Sequence, residues 1–238
     1  VGRVASRWCG GDERRARLAL LVLATLPGTT VLYYGDELGL TDAEVPLDRQ
    51  RDAMTKGRRS RDRCRTPMPW DGSPSGGFTA PGVVPWLPLG GSHGQCNVAA
   101  QRADPGSVVR FSRELLRIRH AELGGPVPEY RQLPAPDGIW AYQVGALVVA
   151  ANLSPRPGRW MGELGEILLS TGGVDRAGGV DRADRPDRTG GPDRTGGPER
   201  TGGADRTGGG GGPGDGAVRG PAGIDLAPWQ GVLARAAV

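Results

Sequence analysis

The sequence predicts a chain of the α/β class that passes into an antiparallel β domain. Three observations carry this. Apolar residues recur at helical spacing on either side of a short β-branched run. Beyond Gly124-Gly125-Pro126 the apolar period changes to two. A Gly/Asp/Arg-rich tract then interrupts the second part before a last apolar run closes the chain.

Each element follows from local residues. Asp12 and Glu13 stand where acidic groups favour a helix N-terminus. Leu18, Leu21, Val22, Thr25 and Leu26 then recur on one face, so a helix is expected over 12–26, stopped by Pro27-Gly28. Residues 29–34, TTVLYY, are apolar and β-branched enough for a strand covered on both sides. Asp36 and Glu37 follow at its C-terminal edge. Residues 41–106 show little periodicity, and a bare connection of that length is uncommon. Pro67, Trp70, Phe78 and Trp86 predict that it is packed instead. Ser107 offers an N-cap, and Val108, Phe111, Leu115 and Ile118 mark one face of a helix over 107–121. Ile139-Trp140-Ala141-Tyr142 and residues 147–153 read as antiparallel strands joined across Gly145, with 166–169 and 229–234 as further strands.

Of the 238 residues, 42 are Gly and 21 are Pro, well above ordinary usage, and many fall in the repeats of 171–220. In that tract eight acidic residues offset eight arginines, and apolar side chains are nearly absent. Such a composition cannot repay an ordering entropy of roughly 1–2 kcal/mol per residue, so a disordered insertion is expected. Lengthening a connection from about 6 to about 50 residues adds only about 2 kcal/mol of closure entropy. The β domain can therefore carry the tract and still close its sheet.

The net charge of +4 is made of basic residues interleaved with acids, which argues against nucleic acid as a partner. Cys9, Cys64 and Cys96 have neither metal-ligand spacing nor an even count, so no disulfide framework, metal or cofactor is expected. No apolar run reaches the roughly 20 residues of a membrane helix. No membrane partner is expected, and cytoplasmic residence is the corresponding expectation.

Two segments carry a family resemblance. Residues 26–40, LPGTTVLYYGDELGL, and 61–71, RDRCRTPMPWD, resemble the eighth-strand region of α-glucosidases in the α-amylase superfamily of glycoside hydrolases, in the oligo-1,6-glucosidase-like branch. Gly77-Phe78-Thr79, Pro85-Trp86-Leu87 and Asn97-Val98-Ala99 are similar too, and so is 226–233 to the family's last C-domain strand. Pro69, where several relatives carry Gln, and Arg63, where Gly is common, depart from the pattern. The resemblance implies that 1–124 is the C-terminal part of a (β/α)8 TIM barrel. It also implies that 125–238 is an antiparallel β-sandwich C-terminal domain carrying the 171–220 insertion. The implied activity is retaining hydrolysis of terminal α-linked glucose from oligosaccharides. The alternatives are a related transglycosylase or trehalose-forming enzyme, and a non-catalytic carbohydrate-binding or vestigial β protein.

Retaining glycoside hydrolysis needs an acid and a nucleophile carboxylate flanking the scissile oxygen. In the family these follow barrel strands four and five, and a third carboxylate closes an Asn-His-Asp motif. Val1–Trp8 is similar to the residues directly after that motif, so all three are expected outside this sequence, and no catalytic residue is assigned. Arg65 matches the family arginine near the first sugar. Its guanidinium could hold sugar hydroxyls or pair with Asp62 or Asp71, and the two roles are compatible. Trp70 could stack on a sugar or anchor the loop. Asp36, Glu37, Arg61 and Asp62 are expected to be structural struts of the rim. The expected ligand of the complete enzyme is an α-linked gluco-oligosaccharide.

Overall fold

The computed structural model describes residues 2–57, 60–126, 128–172 and 223–237. After a short helix α1 (Val4–Arg7), helix α2 runs over Glu13–Thr25. The Asp12 carboxylate caps α2, accepting from the N–H groups of Arg14 and Arg15 at 2.8 and 3.2 Å. Its Ala, Leu and Arg content favours the helix, and Pro27 forbids continuation. Helix α3 (Val98–Ala103) is capped by Asn97, and α4 (Val108–Leu123) by Ser107, whose hydroxyl accepts from Arg110 N at 3.3 Å.

The strands are β1 (Tyr130–Leu133), β2 (Ile139–Val144), β3 (Leu147–Asn152), β4 (Gly158–Trp160), β5 (Ile167–Ser170), β6 (Ile224–Leu226) and β7 (Gly231–Arg235). A five-stranded sheet has the order β1-β2-β3-β7-β5, and β4 pairs with β6 in a second sheet. Every pairing is antiparallel.

The five-stranded sheet is covered on both faces, which explains why β3 reads LVVAAN with every residue buried. Tyr142, Val144, Val149 and Leu233 face Leu18, Leu21, Phe111 and Leu115 of α2 and α4. Ala141, Val148, Ala150 and Val232 face Trp160 of β4 and Leu226 of β6. Odd and even positions of one strand thus enter different cores, as the pleat requires. At Gly231 the helix lies so close that a Cβ would stand 2.6 Å from Leu18 Cδ1 and 2.7 Å from Leu21 Cδ2. Among the described residues no helix is long and apolar enough to cross a membrane.

Two expectations are corrected. The described residues contain no parallel strand pair: they form an α/β domain with two small antiparallel sheets, not a closed (β/α)8 barrel. Residues 29–34 make no ladder, and Val31 is 76% exposed. β-Branched composition favours extended backbone, but a strand exists only where a neighbour supplies N–H and C=O partners, and none of the described strands pairs with this segment. Apart from Thr171 and Gly172, the expected insertion lies outside the described residues. Thr171 itself is buried, and its hydroxyl accepts from Gly231 N at 2.9 Å.

Candidate functional site

Residues 33–71 are organised around Arg3, whose side chain has no exposed surface. Its Nε donates to the Tyr34 carbonyl at 3.3 Å. One terminal nitrogen donates to the carbonyls of Thr41 and Arg63 at 3.3 and 3.4 Å, and the other has no hydrogen-bond partner among the described residues. The Arg3 N–H donates to Asp42 Oδ1 at 2.9 Å, and the guanidinium stands 5.0 Å from the Tyr34 ring centroid. Gly35 is required beside it: its φ is +92°, and a Cβ would lie 2.9 Å from Arg3 Nε.

Asp36 and Glu37 fold the next turn, Asp36–Leu38, back on itself. Asp36 accepts from Val4 N at 2.9 Å and Tyr33 N at 3.2 Å, and Glu37 Oε2 accepts from Gly35 N at 2.8 Å. Burial pushes the Asp36 carboxyl above its usual range, against the pull of these donors and Arg3.

Two buried carboxylates shape the segment carrying Arg65. Asp52 receives Arg61 in a fork, with Nε at 2.9 Å and a terminal nitrogen at 2.7 Å, and also the Arg61 N–H at 3.0 Å. Asp62 Oδ2 accepts from the N–H groups of Arg51 and Asp52 at 2.6 and 2.7 Å. The Arg61 hydrogen bonds hold Asp52 far below the usual carboxylate range. For Asp62 burial works the other way, but the backbone donors outweigh it and the carboxyl is lowered.

Folded-state values below the unfolded value of about 3.9 mean stabilisation that is complete above that pH and lost as pH falls through the folded values. Asp36 runs in the opposite sense, since its raised value makes the folded state bind the proton more readily. Acid should therefore loosen 47–66 selectively. Hydrogen exchange over these residues should show full protection at pH 6 that is already reduced at about pH 3 and lost only at more acid pH, after correction for intrinsic rates. Asp52→Asn should lose it at pH 6 already. Equal protection at both pH values would remove these carboxylates from that role.

Above this scaffold opens a cavity of about 590 Å³. Its polar lining is Tyr34, Arg51, Asp62, Arg65 and Thr66, and its apolar lining is Pro67, Met68, Phe78, Trp86 and Leu87. The Tyr34 hydroxyl donates to the Thr66 carbonyl at 2.9 Å, fixing the backbone next to Arg65. The Arg65 side chain is exposed and donates no hydrogen bond to a described residue, while its backbone N–H donates to Asp62 O at 2.9 Å.

The structure thus brings Arg65 and Asp62 to one cavity. Trp70 does not line it: half exposed, it is held through its backbone by Gly76 and Ala99 at 2.7 and 2.9 Å. Asp36, Glu37 and Arg61 lie beneath, bonded to backbone and to Asp52. Arg3 and Arg51 are not assigned a role by the sequence, and Asp52 stands out there only as one of several carboxylates near the expected rim. An arginine inside the otherwise apolar run Val1-Gly2-Arg3-Val4-Ala5 was the available signal for the first.

Comparison with known proteins agrees with the resemblance at the level of the α-amylase family. The family description "Alpha amylase, catalytic domain" matches residues 1–123. A probable alpha-glucosidase of Rhizobium meliloti (strain 1021) is 38% identical over 128 residues, covering 51% of this chain and 23% of that protein. An oligo-1,6-glucosidase of Heyndrickxia coagulans is 31% identical over 182 residues, covering 64% and 32%. A solved alpha-glucosyl transfer enzyme is 26% identical with a TM-score of 0.69, covering 100% of this chain and 38% of its own. The chain thus spans about a quarter to a third of the length of these curated relatives. With the matched region covering more than half of its residues, the chain belongs to the alpha-amylase family.

Proposed function

We propose that this chain forms part of an enzyme that moves an α-linked glucosyl unit from a glucoside to an acceptor, and that its cavity is one wall of the sugar site. The observation that carries this reading is Arg65, a rigid fork of donors with no hydrogen-bonded partner among the described residues, at a cavity that is also lined by aromatic and apolar side chains. Such a wall matches a pyranose, whose hydroxyls ring an apolar face. Trp86, 75% exposed at the cavity, is better placed for stacking than Trp70. Water as acceptor gives hydrolysis, the reading supported by the likeness to glucosidases. A sugar hydroxyl as acceptor gives transfer, supported by the likeness to an alpha-glucosyl transfer enzyme.

The chemistry needs two carboxylates about the scissile oxygen. Among the described residues the cavity is lined by one, Asp62, already committed to two backbone donors. Residues 1–238 alone are therefore expected to bind sugar without turning it over. Titration of the chain with maltose, followed by amide NMR shifts, should show saturable binding. Arg65→Lys, which keeps the charge and loses the fork, should weaken it about tenfold, or about 1.4 kcal/mol. Unchanged affinity in a folded Arg65→Lys chain would take Arg65 out of the site. Cleavage of an aryl α-glucoside by the purified chain would overturn the division of labour.

A further inference from the structure

Four of the described arginines around the loop scaffold fall into two contrasting pairs. Arg61 is locked onto Asp52 at 2.7 Å, and Arg3 is buried against Asp42 and three carbonyls. Their charges serve the fold. Arg51 and Arg65 both line the cavity, both are exposed, and neither guanidinium makes a hydrogen bond or ion pair with a described residue. The one carboxylate at the cavity, Asp62, is turned to the backbone N–H groups of Arg51 and Asp52. Phe78, Trp86, Met68 and Leu87 line the same cavity, so part of the lining around the two cations is apolar.

A neutral sugar would satisfy the donors of one arginine and leave the excess positive charge without a counterpart. We infer that the cavity prefers a glucoside carrying a phosphate monoester. This rests on the sugar-binding reading above and narrows its substrate class. Arg65 and Arg51 each present a planar fork that suits phosphate oxygens bidentately. A phosphate monoester carries about −1.5 to −2 charges near pH 7, which two unpaired guanidiniums match and one carboxylate-sized charge does not. The glucosyl ring then lies against the apolar wall.

The test is calorimetric titration of the full 238-residue chain at low ionic strength with glucose, glucose 6-phosphate and inorganic phosphate. Glucose 6-phosphate should bind at least about tenfold more tightly than either of the others, about 1.4 kcal/mol. The margin over glucose should shrink when salt is raised to about 0.2 M, since exposed charges are then screened within about 8 Å. Arg51→Gln and Arg65→Gln, each checked for a native circular dichroism spectrum, should each bring glucose 6-phosphate close to the affinity of glucose. Equal affinity for glucose and glucose 6-phosphate would overturn the phosphate preference and leave the sugar site standing. Inorganic phosphate binding as tightly as glucose 6-phosphate, with glucose not bound, would overturn the sugar reading and this inference with it. A phosphate preference unchanged in both folded variants would also overturn the assignment, since it would then come from elsewhere on the chain.

Discussion

Arg3→Met is expected to lower the unfolding free energy by about 3–5 kcal/mol, the range for removing one member of a buried charged network. The side chain is fully buried and its nitrogens satisfy the carbonyls of Tyr34, Thr41 and Arg63. Methionine fills much of the volume but donates nothing, so three peptide oxygens around the buried side chain lose a donor. Each such loss costs about 1–3 kcal/mol before relaxation. The Asp42 carboxylate keeps the Arg3 backbone N–H but loses the facing charge at 3.9 Å. A long ion pair of that kind contributes less than the three carbonyl contacts, so Arg3→Lys should recover only part of the loss. Urea unfolding of the full chain measures the difference. Arg7→Met is the control, since Arg7 is exposed and four residues along the same segment, and it should stay within about 0.5 kcal/mol. Equal unfolding midpoints for the two variants would mean that Arg3 does not hold the scaffold.

How much of the fold was legible in the sequence depends on the range of the interactions involved. Helices α2 and α4 were readable because cap and face lie within one stretch of chain: Asp12 and Ser107 start them, and Leu18, Leu21, Phe111 and Leu115 recur at helical spacing. β2 and β3 were readable because a glycine joins two apolar runs. Residues 29–34 misled because composition reports a preference for extended backbone and carries no information about a pairing partner. β4 and β6 have three residues each, too few for alternation to show, and they meet only because β7 and β3 bring their flanks together.

The site divides in the same way. Arg65 sits in a recognisable local motif, so the residue could be singled out from the sequence, whereas the cavity it lines is visible only in the structure. Arg3, Asp52 and Asp62 act on backbone groups elsewhere in the loop, 60 residues away for Arg3 and Arg63. Contacts of that kind leave no period in the sequence. The same fact explains how a 41–106 segment without regular patterning can be ordered: its carboxylates replace the hydrogen bonds that a helix or ladder would supply.

The remaining large effect lies in the sheet, where Leu233→Ala is expected to cost about 3 kcal/mol or more, within the range for large-to-small changes in a close-packed core. Leu233 is fully buried at the middle of β7, opposite Val149 of β3 and Leu169 of β5. It belongs to the core that also holds Leu21 of α2 and Leu115 of α4. β7 is reached only after the Gly/Asp/Arg-rich tract, so its seat between β3 and β5 joins parts of the chain far apart in sequence. Backbone pairing alone would tolerate the truncation, because alanine keeps every ladder hydrogen bond. The loss therefore measures side-chain packing. At roughly 2–4 °C per kcal/mol for a domain of this size, the melting temperature should fall by about 6–12 °C. Ile167→Ala on neighbouring β5 is the control: Ile167 is 51% exposed, and its truncation should cost well under 1 kcal/mol. A Leu233→Ala chain melting within about 2 °C of wild type would show that β7 is held by its backbone pairing and that the helices contribute little to seating it.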